Sequence, residues 1–472
     1  AAAIDAATPA GRDRWVDTLR VGSLLVVVVG HWLMVAITPD GRITNALAVV
    51  PGLQPLTWLL QVMPLFFLVG GVAHAHTLAS LERRHPAGPG RYAAFLRARA
   101  RRLLRPTLAF LLLWVGLGVV AHLTGLTARP GDTGRLARDA LVMVPQLLWF
   151  VGIYLGACAF APLMRGLHAR FGLRVVGVLV LFAVLVDVVR FAGGPGLVGN
   201  LDFALVWLSL HQLGFAWRDG LLTTLRGWWM ALVGYGAMGL GVAFGPYPVS
   251  MVGLPGDAVS NMAPPTAALL AQGIGICGLA VVLRPVMARV LARPRVWRVV
   301  VSLAPFAMTA FLWHLTALMT VLLGLRGLGV QQPAIGSWAW WLTRPVLFAV
   351  LAAVTAGLVA LFVRFDRGKA PVEAGPRRQR GWVDPVAAVS AGGLFFGILI
   401  VSIVGVDVLG NRPVFFLVGD VVPAVGFAVL ALGLLLLRLT RIPDRENAPS
   451  RTHPIERTLR HARALRRVRH TQ

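Results

Sequence analysis

Long apolar runs separated by short polar breaks set the plan of this chain. About twelve such runs, each roughly 18 to 25 residues, lie near 16–37, 54–81, 104–124, 140–162, 174–191, 200–217, 228–246, 264–283, 299–323, 338–363, 383–407 and 414–437. Helices of about 20 residues cross a bilayer core of about 30 Å. The pattern therefore predicts an all-α, polytopic membrane bundle of about twelve transmembrane helices, a ten-helix core followed by two extra helices. It divides the chain into a segment at 1–15, a membrane core at 16–365, a linker with two helices at 366–437 and a basic tail at 438–472.

Composition agrees with that class. The 472 residues are 57% hydrophobic and only 14% charged, and the mean hydropathy is +0.74. A net charge of +26 raises the question of nucleic acid. The arginines, however, sit between apolar runs and in the tail, as membrane topology requires, so no nucleic-acid partner is expected. Of the 45 Lys and Arg residues, only eight (Arg42, Arg129, Arg135, Arg138, Arg190, Arg326, Arg344 and Arg412) fall on the side opposite the N-terminus. The positive-inside rule then places both termini in the cytoplasm and the protein in the cell membrane. The opening "AAAIDAATPAGRDRW" has no signal-peptide pattern, which predicts a retained first span. The tail segment "IERTLRHARALRRVRH" reads as a basic amphipathic helix on anionic lipid. Cys158 and Cys277 both fall in apolar runs, which argues against a disulfide framework or a Cys metal site.

The first run, "DTLRVGSLLVVVVGHW", carries Arg20 at one end and His31 inside it. Eleven residues at about 100° each make three turns plus about 20°, so the two share a helix face about 16 Å apart. Asp17, three residues before Arg20, can hold its guanidinium. Ionisable groups at membrane depth are costly and line cavities or find polar partners.

"WVDTLRVGSLLVVVVGHW" resembles the first span of acyltransferase family three, whose mark is Arg, ten residues, then His. The resemblance continues in order. "MPLFFLVGGVAHA" at 63–75 is similar to the family's Pro-x-Phe-Phe motif, and "RRLLRP" at 101–106 to its Arg-x-x-Arg motif, on Arg102 and Arg105. "LLWFVGIYL" at 147–155, with Trp149, and "FLWHLTALM" at 311–319, with His314, are similar to its later segments. Val69-Gly70-Gly71 stands where the family usually has Ser-Gly.

The resemblance implies transfer of an acyl group, commonly acetyl, from cytoplasmic acyl-CoA to a hydroxyl of an envelope glycan, lipid or natural product. Acyl-CoA enters as co-substrate, with no tightly bound cofactor. His31, with Arg20, is the implied catalytic residue, since neutral imidazole suits removal of a hydroxyl proton. Arg102 and Arg105 are assigned to the donor's phosphates, which guanidinium groups bind bidentately. Asp17, Trp149, Asp202 and His314 are candidate cavity residues. Direct transfer is expected, because neither cysteine has a sequence-adjacent base.

Other polar residues read differently. Asp202 and His211, nine apart, are half a turn out of phase. Asp187 and Arg190 neutralise each other. His74 and His76 face different sides of their run, against a joint metal site, and no metal is expected. "GIGICG" at 273–278 predicts close helix packing. The rival reading is a secondary transporter that relays protons through intramembrane His, Asp and Arg.

Overall fold

The computed structural model describes residues 11–38, 42–84, 88–366, 381–417 and 419–440. The amphipathic tail and the linker at 367–380 lie outside them. Of the described residues, 77% are helical. Its helices are α1 (Arg14–Met34), α2 (Met63–Arg84), α3 (Arg91–Leu123), α4 (Asp132–Gln146) and α5 (Trp149–Phe171). They continue as α6 (Arg174–Phe191), α7 (Asp202–Arg218), α8 (Thr224–Phe244), α9 (Ala267–Leu291) and α10 (Pro294–Leu303). The last four are α11 (Ala307–Gly327), α12 (Trp338–Asp366), α13 (Val383–Val404) and α14 (Pro423–Leu439). Short helical turns, among them Ala46–Val49 and Thr57–Leu60, and two short antiparallel hairpins lie between them: β1 (Val35–Ile37) with β2 (Ile43–Asn45), and β3 (Val414–Phe416) with β4 (Gly419–Val421).

Nine helical stretches among the described residues are long and apolar enough to cross a membrane, against the twelve the pattern predicted. The differences have local causes. α6 carries Arg174, Asp187 and Arg190, and α7 and α14 have only 17 residues each. Val414–Phe416 and Gly419–Val421 pair as a hairpin rather than beginning a span. Pro305, between α10 and α11, cannot donate to a helix ladder and moves the start of the predicted 299–323 span to Ala307 without removing it.

α1 is the central element, packed against α2, α9 and α11. Its start is fixed by Asp13, whose carboxylate accepts the Trp15 and Val16 N–H groups as an N-cap. The other Asp13 oxygen accepts from Trp217 Nε1 and Arg284, each at 3.1 Å, tying α1 to α7 and α9. Close backbone approach joins two helix pairs. A Cβ on Gly71 of α2 would overlap the His211 carbonyl oxygen of α7. A Cβ on Gly278 of α9 would lie 2.5 Å from the Ala231 nitrogen of α8, the tight packing that the "GIGICG" stretch predicts.

Candidate functional site

α1 and α11 bring together two histidines that stand 283 residues apart. His31 Nδ1 lies 3.1 Å from His314 Nε2, with ring centroids 5.0 Å apart. His314 is fully buried, whereas His31 is half-buried. The hydrogen bonds fix the tautomers of the neutral pair. Phe311's carbonyl oxygen can only accept, so His314 Nδ1 carries a proton and its Nε2 accepts. His31 Nδ1 then faces that nitrogen as a donor, and the Val27 carbonyl is a second acceptor beside the His31 ring.

Arg20 lies on the same face of α1, about 16 Å nearer its N-terminus. Its guanidinium is 3.3 Å from Asp17, which also pairs with Arg12 at 2.5 Å. Arg102 of α3 is exposed and close enough to interact electrostatically with Arg20, with Asp366 of α12 and with Tyr154 of α5. Arg105, one turn along α3, is exposed too. Between Arg20 and His31, the buried Ser23 hydroxyl has no hydrogen-bond partner among the described residues. The face therefore runs from a cationic mouth, past the Ser23 hydroxyl, to the His31 imidazole.

Beyond His31, at the far end of α1, a cleft of about 420 Å³ opens between β1 and the end of α11. Ile37, Thr38, Leu322, Arg326, Gln331 and Gln332 are among its lining residues.

Trp149 belongs to an aromatic wall. It lies 6.0 Å from Trp207, which stacks on Phe67 at 4.6 Å. Phe150 meets Phe311 edge-on at 5.4 Å, and Phe311 lies 5.8 Å from His314. The segments at 63–75, 147–155 and 311–319 thus converge beside the histidine pair.

Asp202 goes elsewhere. It is fully buried, and both its carboxylate oxygens are without partners among the described residues. Its electrostatic neighbours are Asp187 and Arg190. Those two form the expected i, i+3 pair at 3.9 Å, and Asp187 also accepts from Tyr247 at 2.9 Å and from the Ala267 N–H at 2.7 Å.

A second buried cluster was not anticipated. His74 Nδ1 lies 2.8 Å from His211 Nε2 across the Gly71 contact. Tyr154 Oη and Cys158 Sγ each lie 3.4 Å from His74 Nε2. Cys158, without a sequence-adjacent base, thus has a spatial one. The available signal was the position of Gly71 three residues before His74 and of Gly214 three after His211, which set both histidines at the closest helix crossing. Beside this cluster, Arg99 donates to the Ala73 carbonyl at 3.2 Å and is electrostatically coupled to Tyr154, Cys158 and Arg102. No group of three or more His, Cys, Asp or Glu side chains suited to a metal occurs among the described residues.

Apolar helices, an intramembrane histidine pair and a cationic mouth on one face define a multi-pass membrane protein with a buried polar site. The family model for an acyltransferase domain matches residues 13–363, and the chain belongs to the acyltransferase 3 family. No curated protein and no solved structure matches it.

Proposed function

We propose that the protein moves an acyl group, acetyl by preference, from cytoplasmic acyl-CoA to a hydroxyl of an envelope glycan, lipid or natural product, with His31 as general base. The observation that carries this reading is the His31–His314 contact inside the membrane-spanning bundle, on the face of α1 that Arg20 begins. In this reading both termini are cytoplasmic. Arg20 and Arg102, with Arg105, meet the donor's phosphates, and the thioester arm follows α1 past Ser23. The acceptor arrives through the cleft at the other end of α1. His31 Nε2 takes the hydroxyl proton as the oxygen attacks the thioester carbonyl. Collapse of the tetrahedral intermediate breaks the C–S bond, and the departing CoA thiolate recovers the proton from His31. The ester and free CoA thiol balance the step.

His314 acts through His31 by holding its tautomer. Asp17 holds Arg20, and Trp149 contributes to the wall behind the site. The buried Cys158 lies beside His74, outside this route.

Acetyl-CoA added to the purified protein should raise its melting temperature by mass action, by about 2.7 kcal/mol of stabilisation at a hundred times Kd. It should also be consumed when an acceptor hydroxyl is supplied. A transporter or scaffold gives neither result.

A further inference from the structure

α13 and α14 lie outside the matched residues 13–363, and they hold α3, the helix that carries the arginine ladder of the donor mouth, at both ends. The first turn of α3 has no cap of its own. Its N-cap position is Gly90, with φ 89° and no side chain to accept a hydrogen bond. The missing acceptor comes from the start of α13. Asp384 Oδ2 accepts the Gly90 N–H at 2.7 Å, and Oδ1 accepts the Ala93 N–H at 2.9 Å. A carboxylate there also faces the positive end of the helix dipole.

The grip is reciprocal. Arg97 of α3 donates to the Thr440 carbonyl at 2.9 Å and lies 3.2 Å from its hydroxyl, a cation at the C-terminal end of α14. At the opposite end of the bundle, the Val406 N–H donates to the Leu141 carbonyl at 3.1 Å. The Val406 carbonyl lies 3.4 Å from where a Cβ on Gly118 of α3 would be. Along its length α13 docks on α5, where a Cβ on Gly156 would lie 3.1 Å from the Phe395 ring.

We propose that the α13–α14 pair is a positioning brace for the donor site, and that Asp384 is the residue through which it sets the start of α3. Arg99, Arg102 and Arg105 follow Ala93 on one continuous helix, so fraying or sliding of its first turns displaces Arg99 and Arg102 from Tyr154, and Arg102 from Arg20, and carries Arg105 with them. Asp384 is a positioning residue and touches no substrate. The proposal rests on the acyl-CoA reading for its kinetic consequence and on hydrogen bonds alone for its structural one.

The test uses the full chain in detergent or nanodiscs. Asp384→Ala should raise the KM for acetyl-CoA about 2- to 30-fold, the range that loss of an N-cap spans, with kcat nearly unchanged. Asp384→Asn, which keeps a capping oxygen, should recover most of the loss. Amide exchange at Gly90–Arg97 should accelerate in Asp384→Ala while exchange in α1 stays as in the wild type. A wild-type KM together with unchanged exchange overturns the brace, and so does a fall in kcat at constant KM. If the wild type itself does not saturate with acetyl-CoA, the donor reading fails, and the exchange comparison still decides on the brace.

Discussion

Replacing His314 by alanine removes the acceptor that holds the His31 Nδ1–H, and it leaves His31 in place. The contact is 3.1 Å, and its far partner, the Phe311 carbonyl, fixes which His314 nitrogen accepts. Loss of one hydrogen bond costs about 0.5–1.5 kcal/mol net. If that cost falls on the reactive orientation of His31, kcat should drop about 2- to 13-fold. The KM for acetyl-CoA should hold, since Arg20 lies about 16 Å away along α1 and Arg102 and Arg105 lie on α3. His314→Gln, whose carbonyl oxygen can accept from His31, should recover part of the loss. Steady-state turnover of purified protein with acetyl-CoA and an acceptor hydroxyl reads both parameters. The double variant His31→Ala/His314→Ala should be no slower than His31→Ala alone, because the second residue acts only through the first. Two independent, multiplying losses in the double variant would refute the coupling. Wild-type turnover in His314→Ala would refute it as well.

Three further outcomes follow from the same geometry. Arg102→Ala should raise the KM for acetyl-CoA more than Arg105→Ala, because Arg102 interacts with Arg20 and Tyr154; Arg83→Ala should do little, and equal effects in all three would reduce the mouth to general surface charge. Gly71→Ala should lower the melting temperature by several degrees or prevent folding, since its Cβ overlaps the His211 carbonyl oxygen; a protein as stable as the wild type would contradict the crossing. A cysteine introduced at Arg91 should resist an impermeant thiol reagent in intact cells and react after the membrane is opened. Labelling from outside would invert the topology.

The helical membrane class was legible because apolar runs of span length leave few alternatives in lipid. The count was less so. Hydropathy alone does not register that Val414–Phe416 and Gly419–Val421 pair as a hairpin and leave the last run a helix of 17 residues. At the site, the Arg20–His31 spacing could be read because both residues lie on one helix, where the 3.6-residue period fixes their relation. The His314 contact joins α1 to α11, and no local period reports which distant helices pack. The same limit hid the His74–His211 pair. His211 was compared with Asp202 on its own helix, whereas its partner stood across the Gly71 crossing. Asp202, read as a cavity residue, lies instead among Asp187 and Arg190. The capping of α3 by Asp384 spans 294 residues and leaves only one local trace, a glycine where a capping side chain usually stands.

The central claim is that His31 is the general base. Its most direct test is the turnover of His31→Ala beside the wild type, with acetyl-CoA as donor and the melting temperature followed in the same preparation. The account predicts turnover at least about 10²-fold lower, while acetyl-CoA still stabilises the folded variant, because Arg20 and Arg102 are untouched. A folded His31→Ala protein that turns over at the wild-type rate would contradict it.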